Sequence, residues 1–428
     1  MNEGQTTANM IGSYGPWAAE SAAAWERESS YLGSGWNDIE TWRERARAKV
    51  RELLAGPHIG TRATAGFRVH RRYSYDGLDI EELSWKLPFG PRTEAVFLKP
   101  SGRHDPLPGV LALHDHAAVK YFGKRKIIRT AEKLHPFIEQ HQRLYYGGVA
   151  WANSLAHRGY AVLVHDVFPF ESRRIRAPEL PGHVVRRMMA APGKVEELTP
   201  EDLSEPQSAG CYEISAEEPI DQIEAYNAFA AQHEDIIAKS LISAGYTWAG
   251  VFAAEDRMAL DILCSRSGVD ENRVGCCGLS LGGLRTNYLA GLDDRIRCSV
   301  TVGFMTTWRD LILNNCYTHS WMVYIPLLSR FMDYPEILGM RAPLPAMVLA
   351  TEEDPLFCKA EVEKALGILG QVYAKAGASD NFRCGFHPGP HQFDRSMQER
   401  AFAWLDRHLQ SSDGRRTDRK QQLESELR

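Results

Sequence analysis

The chain has 428 residues, 44% of them hydrophobic and 25% charged, with a formal net charge of −5. That suffices for a large core in one big domain or two. A weakly acidic balance argues against a nucleic-acid partner, which needs a basic patch or stripe, and no apolar run approaches the roughly 20 residues of a membrane-spanning helix.

The N-terminus, Met1-Asn2-Glu3-Gly4-Gln5-Thr6, lacks the basic and apolar segments of a signal peptide. Eight cysteines (Cys211, Cys264, Cys276, Cys277, Cys298, Cys316, Cys358 and Cys384) are scattered through apolar segments without metal-site spacing. The expectation is a cytoplasmic protein with reduced, mostly buried thiols. Adjacent Cys276 and Cys277 are expected on opposite faces of a strand rather than in a vicinal disulfide.

Residues 1–60 read as a helical N-terminal segment. Asn37 is the expected N-cap, with Glu40 reaching back to it. Trp42, Ala46, Val50, Leu53 and Leu54 then share one face until Gly56-Pro57 ends the helix. Such a face is expected to pack on the chain's own main domain before a partner subunit; the oligomeric state stays open, a homo-oligomer included.

Residues 61–410 read as one α/β domain. Phe67–Tyr75 and Ile80–Trp85 alternate in hydropathy on either side of the hairpin signal Asp76-Gly77, and Ala95–Leu98 adds a third strand. The run Gly109–His114 suits a strand buried on both faces. Then come a helix over Ala150–Ala156, a strand over Tyr160–Val164 and a helix over Thr247–Ser265. Strands follow over Arg273–Cys277, Cys298–Gly303, Ala346–Ala350 and Phe382–Phe386, before a last helix through Phe402, Trp404 and Leu405. Strands alternating with helices predict a mostly parallel sheet covered on both faces. Insertions of about 120–146 and 171–246 interrupt this rhythm, where substrate-covering lids sit. The second is proline- and charge-rich early on (Pro178, Pro181, Pro192). The charged tail 411–428 is expected to be disordered.

The most informative stretch is Gly278-Leu279-Ser280-Leu281-Gly282. It follows an apolar strand and precedes a helix-compatible run, the context in which Gly-x-Ser-x-Gly forms a nucleophile elbow. A serine there sits at a helix N-terminus, where free N–H groups and the helix dipole favour an oxyanion. Such a nucleophile needs an acid after a later strand and a histidine in the last loop. Asp354, in Thr351-Glu352-Glu353-Asp354-Pro355, is the expected acid over Glu352 and Glu353. His391, in His387-Pro388-Gly389-Pro390-His391, is the expected general base over His387. The oxyanion donors are expected from the N–H of Leu281 and from the loop His114-Asp115-His116-Ala117-Ala118, at His116 or else Ala117. A metal site at His114, Asp115 and His116, with His165 and Asp166, is the weaker account of that loop, because further ligands at recognisable spacing are missing.

Tyr121, Phe122, Tyr246, Trp248 and Trp308 are candidates for the substrate pocket, with core packing as the alternative for each. Lys120, Lys124, Arg125 and Lys126 form a basic cluster that reads as a solvated face or a receiver of acidic substrate.

Through Leu113-His114-Asp115-His116, Gly278–Gly283, Glu353–Phe357 and Gly389–Phe393 the chain resembles the α/β-hydrolase superfamily, over roughly residues 67–409. Within it, the chain is similar to dienelactone hydrolase-like and acetyl xylan esterase-like proteins. The resemblance implies a mostly parallel central sheet flanked by helices, with the helical N-terminal segment and a lid insertion added. It also implies a serine hydrolase acting on a small-molecule carboxylic ester, acetyl or other short acyl, with no cofactor. Asp115 and Ala117 depart from the family's usual glycines, and serine replaces the cysteine of dienelactone hydrolase proper. Two other readings remain: an aminopeptidase-like amide hydrolase of the prolyl-oligopeptidase type, for whose propeller the N-terminal segment is too short, and a non-catalytic binding protein on the same scaffold.

Overall fold

Residues Asp76 and Gly77 both adopt positive φ (50° and 72°), the left-handed pair that a two-residue hairpin turn requires. They join β1 (Arg68–Tyr75) to β2 (Leu78–Trp85) and so open the sheet. This is a computed structural model, and it describes residues 8–24, 29–61, 66–189 and 218–410. The tail 411–428, Pro192 and Cys211 lie outside the described residues.

The remaining strands are β3 (Thr93–Pro100), β4 (Leu107–Leu113), β5 (Ala161–His165), β6 (Val269–Leu279), β7 (Ile296–Val302), β8 (Ala346–Thr351) and β9 (Phe382–His387). They form one nine-stranded sheet in the order β1-β2-β3-β5-β4-β6-β7-β8-β9. The first three pairings are antiparallel and every pairing from β5/β4 to β8/β9 is parallel. The edge strand β1 carries exposed Arg68, Arg71 and Arg72, charges that discourage further strand addition. Central β4, β5 and β8 are buried along their whole length, as their unbroken apolar runs require.

The helices in chain order are α1 (Tyr14–Ala24), α2 (Ile39–Leu54), α3 (Pro136–Tyr146), α4 (Trp151–His157), α5 (Gly182–Met189), α6 (Ile220–Ser243), α7 (Trp248–Cys264), α8 (Leu281–Leu292), α9 (Trp308–Asp310), α10 (Tyr334–Gly339), α11 (Lys359–Lys375) and α12 (Arg395–Leu409). One sheet face packs Leu111, Leu113 and Cys276 against α2, α7, α8, α10 and α11. The other packs Val110, Ala112 and Cys277 against α4 and α12. Cys276 and Cys277 are thus free thiols on opposite faces.

Helix α2 buries Trp42, Ala46, Val50 and Leu54 in the main core, and buried Arg47 bonds Gly291 O and Asp294. The face predicted to dock on the main domain does so. Its cap is one residue later than predicted: Asp38, in extended backbone, accepts from Thr41 N at 2.7 Å. Glu40 pairs with Arg43 instead of reaching back, so no capping box forms.

The two insertions pack on each other. Tyr121, Phe122 and Ile138 from the first meet Ile223, Tyr226 and Phe229 of α6 in a third apolar cluster. Among the described residues no single helix is long and apolar enough to cross a membrane; α6 and α7 reach that composition only as a pair bent by 84°.

Candidate active site

Parallel register brings the loops of interest together. Leu113 lies opposite Gly278, Leu279 opposite Val302, Val302 opposite Leu349, and Thr351 opposite His387. The segments leaving β4, β6, β7, β8 and β9 therefore emerge at one edge of the sheet.

Ser280 occupies the turn from β6 into α8 with φ 59° and ψ −119°, a conformation that L-residues rarely adopt. The surroundings hold it there: Ser280 N donates to Val302 O at 2.9 Å, and Ser280 O accepts from Leu284 N. The flanking glycines are steric necessities. A Cβ on Gly278 would meet Leu113 O and Gly282 C at 2.6 Å, and one on Gly282 would run into Leu113 O. Strand, turn and helix cross too closely for any larger residue.

Asp354 and His391 come together as expected from their positions after β8 and β9. His391 Nδ1 donates to Asp354 Oδ2 at 2.7 Å, and Asp354 Oδ1 accepts from Leu356 N at 2.9 Å. With Nδ1 as donor, Nε2 is left as the acceptor nitrogen. It is buried and has no protein hydrogen-bond partner. Glu352 turns outward to Lys359, Glu353 is exposed, and His387 sits beside Arg400. Gly303, just past β7, makes room for the imidazole: a Cβ there would stand 3.0 Å from His391 Cε1. Gly303 was not among the expected site residues, although it ends the run Cys298–Gly303 that reads as a strand.

Ser280 and His391 line one cavity of about 390 Å³ together with Asp115, His116, Ala117 and Leu281. Leu284, Phe304, Met322, Val323 and Phe357 make its wall apolar, while Tyr145, Thr318 and His319 add polar groups. His319 lies edge-on to Phe304, tilted against Phe357, and 2.8 Å from Asn315 O through Nδ1. Burial holds its pKa below the ordinary histidine value. The part of the wall from Phe304 to Val323 comes from the β7–β8 connection, which does not read as an insertion in the sequence. It is built of a π-turn and short 3₁₀ turns, without a hydrophobic period to read.

The aromatic pocket candidates lie elsewhere. Tyr121 and Phe122 are buried beneath α6. Trp248 and Trp308 border a separate depression with Trp321 and Tyr324, while Trp308 Nε1 donates to Met332 O. Tyr246 is exposed just before α7.

The loop after β4 is held by charge. His116 and Ala117 face the cavity, and Ala117 and Ala118 take positive φ in succession (44° and 56°). Fully buried Asp115 accepts from His141 Nε2 (3.2 Å) and from Tyr146 OH, and lies 3.4 Å from Lys126 Nζ. Burial opposes the Asp115 charge, but Lys126 and His141 hold its carboxyl well below the usual range. His116 Nε2 meets Glu234 of α6 at 3.2 Å, and Lys120 bonds the same carboxylate at 2.5 Å. Against its own burial, Glu234 is thereby drawn down to about 2.

The basic cluster is neither solvated nor open to an acidic substrate. Lys120, Lys124 and Lys126 are buried, and Lys124 is ringed by Asp166, Glu171 and Glu94. Arg125 pairs with Glu171 and Glu218. Lys124 and Lys126, two apart on a short turn, give no periodic sign of burial; the carboxylates beside them lie 11 to 47 residues away in the chain. The weaker metal account fails on geometry. His165 bonds Asp256 beside Arg285, Asp166 bonds Lys124, and among the described residues no three such side chains converge.

No family model matches the chain. It is similar to a putative hydrolase, YtaP of Bacillus subtilis (strain 168), with 26% identity over 305 residues, 71% of this chain and 79% of that protein. Its fold is similar to that of a putative acetyl xylan esterase from Bacteroides fragilis NCTC 9343 (TM-score 0.57, 14% identity, covering 88% of this chain and 83% of that one). It is also similar to a glucuronoyl esterase from Solibacter usitatus (TM-score 0.55, 15% identity, covering 89% and 96%). The fold is thus the α/β-hydrolase fold, with helices on both sides of a mostly parallel sheet.

Proposed function

We propose that this protein is a serine hydrolase of carboxylic esters, acetyl or other short acyl, working through an acyl-enzyme. The single observation that carries the reading is the Asp354–His391 hydrogen bond at 2.7 Å, with His391 and Ser280 lining one cavity. In this mechanism His391 Nε2 takes the Ser280 proton as the hydroxyl attacks the acyl carbon. Asp354 keeps Nδ1 protonated and steadies the imidazolium that forms. The tetrahedral oxyanion is met by the N–H of Leu281, at the start of α8, and by an N–H of the loop at His116 or Ala117. His391 then returns the proton to the leaving alkoxide, and water attacking by the same route releases the acid. No cofactor enters the scheme.

The names of the structural neighbours support ester chemistry, while their identities of 14–15% limit that support to the shared fold. The cavity volume lies at the small end of ligand pockets, roughly 300–1,000 Å³, and its apolar wall suits a short acyl group beside a compact leaving group. The test is a fluorophosphonate probe followed by peptide mapping, with p-nitrophenyl esters of increasing chain length. Labelling at Ser280 and turnover falling with chain length are expected; a folded protein that neither labels nor hydrolyses any short ester refutes the reading.

A further inference from the structure

Lys126 is fully buried, ten residues beyond His116 on a short 3₁₀ turn. Its ammonium donates to two successive main-chain carbonyls, Asp115 O at 2.7 Å and His116 O at 3.1 Å. The Asp115 carboxylate balances the charge at 3.4 Å, and the Phe170 ring lies 4.9 Å from Nζ while also contacting the His114 and His116 rings.

The consequence follows from peptide geometry. In a trans peptide the C=O and N–H point in opposite directions within one plane. The carbonyl of Asp115 shares its plane with the N–H of His116, and that of His116 with the N–H of Ala117. One cation gripping both carbonyls, alongside His114 Nδ1 on Asp115 O (3.0 Å) and Val119 N on His116 O (2.9 Å), therefore helps to set both planes and turns both N–H groups away from itself. The cavity that holds Ser280 is lined by His116 and Ala117 but not by Lys126, so the ammonium stands behind the loop. Among the described residues neither N–H meets a protein acceptor. The loop needs such a hold, because Ala117 and Ala118 stay left-handed without glycine only if their surroundings impose it. A cation on the carbonyl also polarises each amide, strengthening the hydrogen bond its N–H can donate.

We propose that Lys126 is the positioning residue of the oxyanion hole, clamping the carbonyls of Asp115 and His116 so that the His116 and Ala117 N–H groups face the reacting ester. This rests on Ser280 being the nucleophile. Two amides aimed at one oxyanion, with Leu281 as the third donor, also remove the choice between His116 and Ala117.

The test compares wild type, Lys126→Met and Lys126→Arg. For Lys126→Met, kcat on a short ester is expected to fall about 10²–10³-fold, the cost of losing an oxyanion donor, with KM within threefold. Affinity for a trifluoromethyl ketone, which forms a tetrahedral adduct, should fall by the same factor. Lys126→Arg should retain part of both. Loss confined to the melting temperature, with kcat and ketone affinity within threefold of wild type, overturns the proposal. Should either variant fail to fold, the crystal structure of phosphonylated wild type decides: the phosphonyl oxygen within hydrogen-bond distance of His116 N or Ala117 N, with Nζ still on both carbonyls, supports it. An oxygen meeting neither amide overturns it while leaving Ser280 as the nucleophile. Absence of any label at Ser280 overturns both readings together.

Discussion

The elbow that carries Ser280 and the loop of His114–Ala118 face the same cavity, yet different forces hold them. The elbow is fixed by steric closeness: Gly278, Gly282 and Gly303 leave space for one backbone path and one imidazole position. The loop is fixed by buried charge, through Lys126, Asp115, His141, Glu234 and Lys120. Close packing of backbone is insensitive to pH and salt, whereas a charge network holds its geometry only while its members stay ionised. The moving parts of such a site are expected on the ionic side, where α6 lies over the loop.

The comparison can be broken most completely at Ser280. Ser280→Ala should lower kcat on a p-nitrophenyl ester by about 10⁶-fold while a fold remains. The residual rate, about 10³–10⁴ above water, would measure what the charge-held loop contributes without the nucleophile. Asp354→Asn should cost about 10⁴-fold in kcat with little change in KM, because an amide at that position favours the wrong imidazole tautomer; steady-state kinetics on the purified variant reads this directly. Gly303→Ala tests the steric half alone. The added methyl would press on His391 at 3.0 Å and occupy a left-handed position (φ 59°), so kcat is expected to drop by about 10²-fold, the cost of an ångström-scale displacement. Activity unchanged in this variant would mean that the imidazole is not confined as described.

Glu234→Gln probes the charged half and should have the smallest effect, a few-fold change in KM at neutral pH. Its clearer signature lies in acid. Because the folded carboxyl sits at about 2, below its ordinary 4.5, ionised Glu234 stabilises the α6 contact above pH 4.5. That contribution is lost progressively as pH falls from 4.5 toward 2. Melting curves for wild type and Glu234→Gln should therefore lie furthest apart near neutrality and converge in acid; a gap independent of pH contradicts an ionised Glu234 holding α6 to the loop.

Much of the sheet was legible because its signals are local. Unbroken apolar runs marked β4, β5 and β8, and Asp76-Gly77 marked the hairpin. The Gly278–Gly282 pentapeptide marked the elbow because glycine there answers to a close crossing. Asp354 and His391 could be picked from their neighbours because chain order after an elbow restricts where an acid and a histidine can sit. The aromatic pocket candidates failed for the opposite reason: Tyr121, Phe122, Trp248 and Trp308 are apolar and near the right segments, but nothing local says which way an insertion folds. The wall carrying His319 and Met322 went unread because irregular turns have no period.

Hydrophobic pattern and glycine placement by themselves marked the chain order of the strands and the identity of the elbow, since an apolar run is visible locally and glycines are kept wherever the turn must cross a neighbouring strand closely. The tertiary structure alone decided the burial of Lys124 and Lys126, the outward turn of Glu352 and the shape of the cavity. A lysine reads as solvated until a carboxylate or carbonyl from a distant segment arrives beside it, and only the folded chain brings Asp115 and Lys126, or His116 and Glu234, within reach.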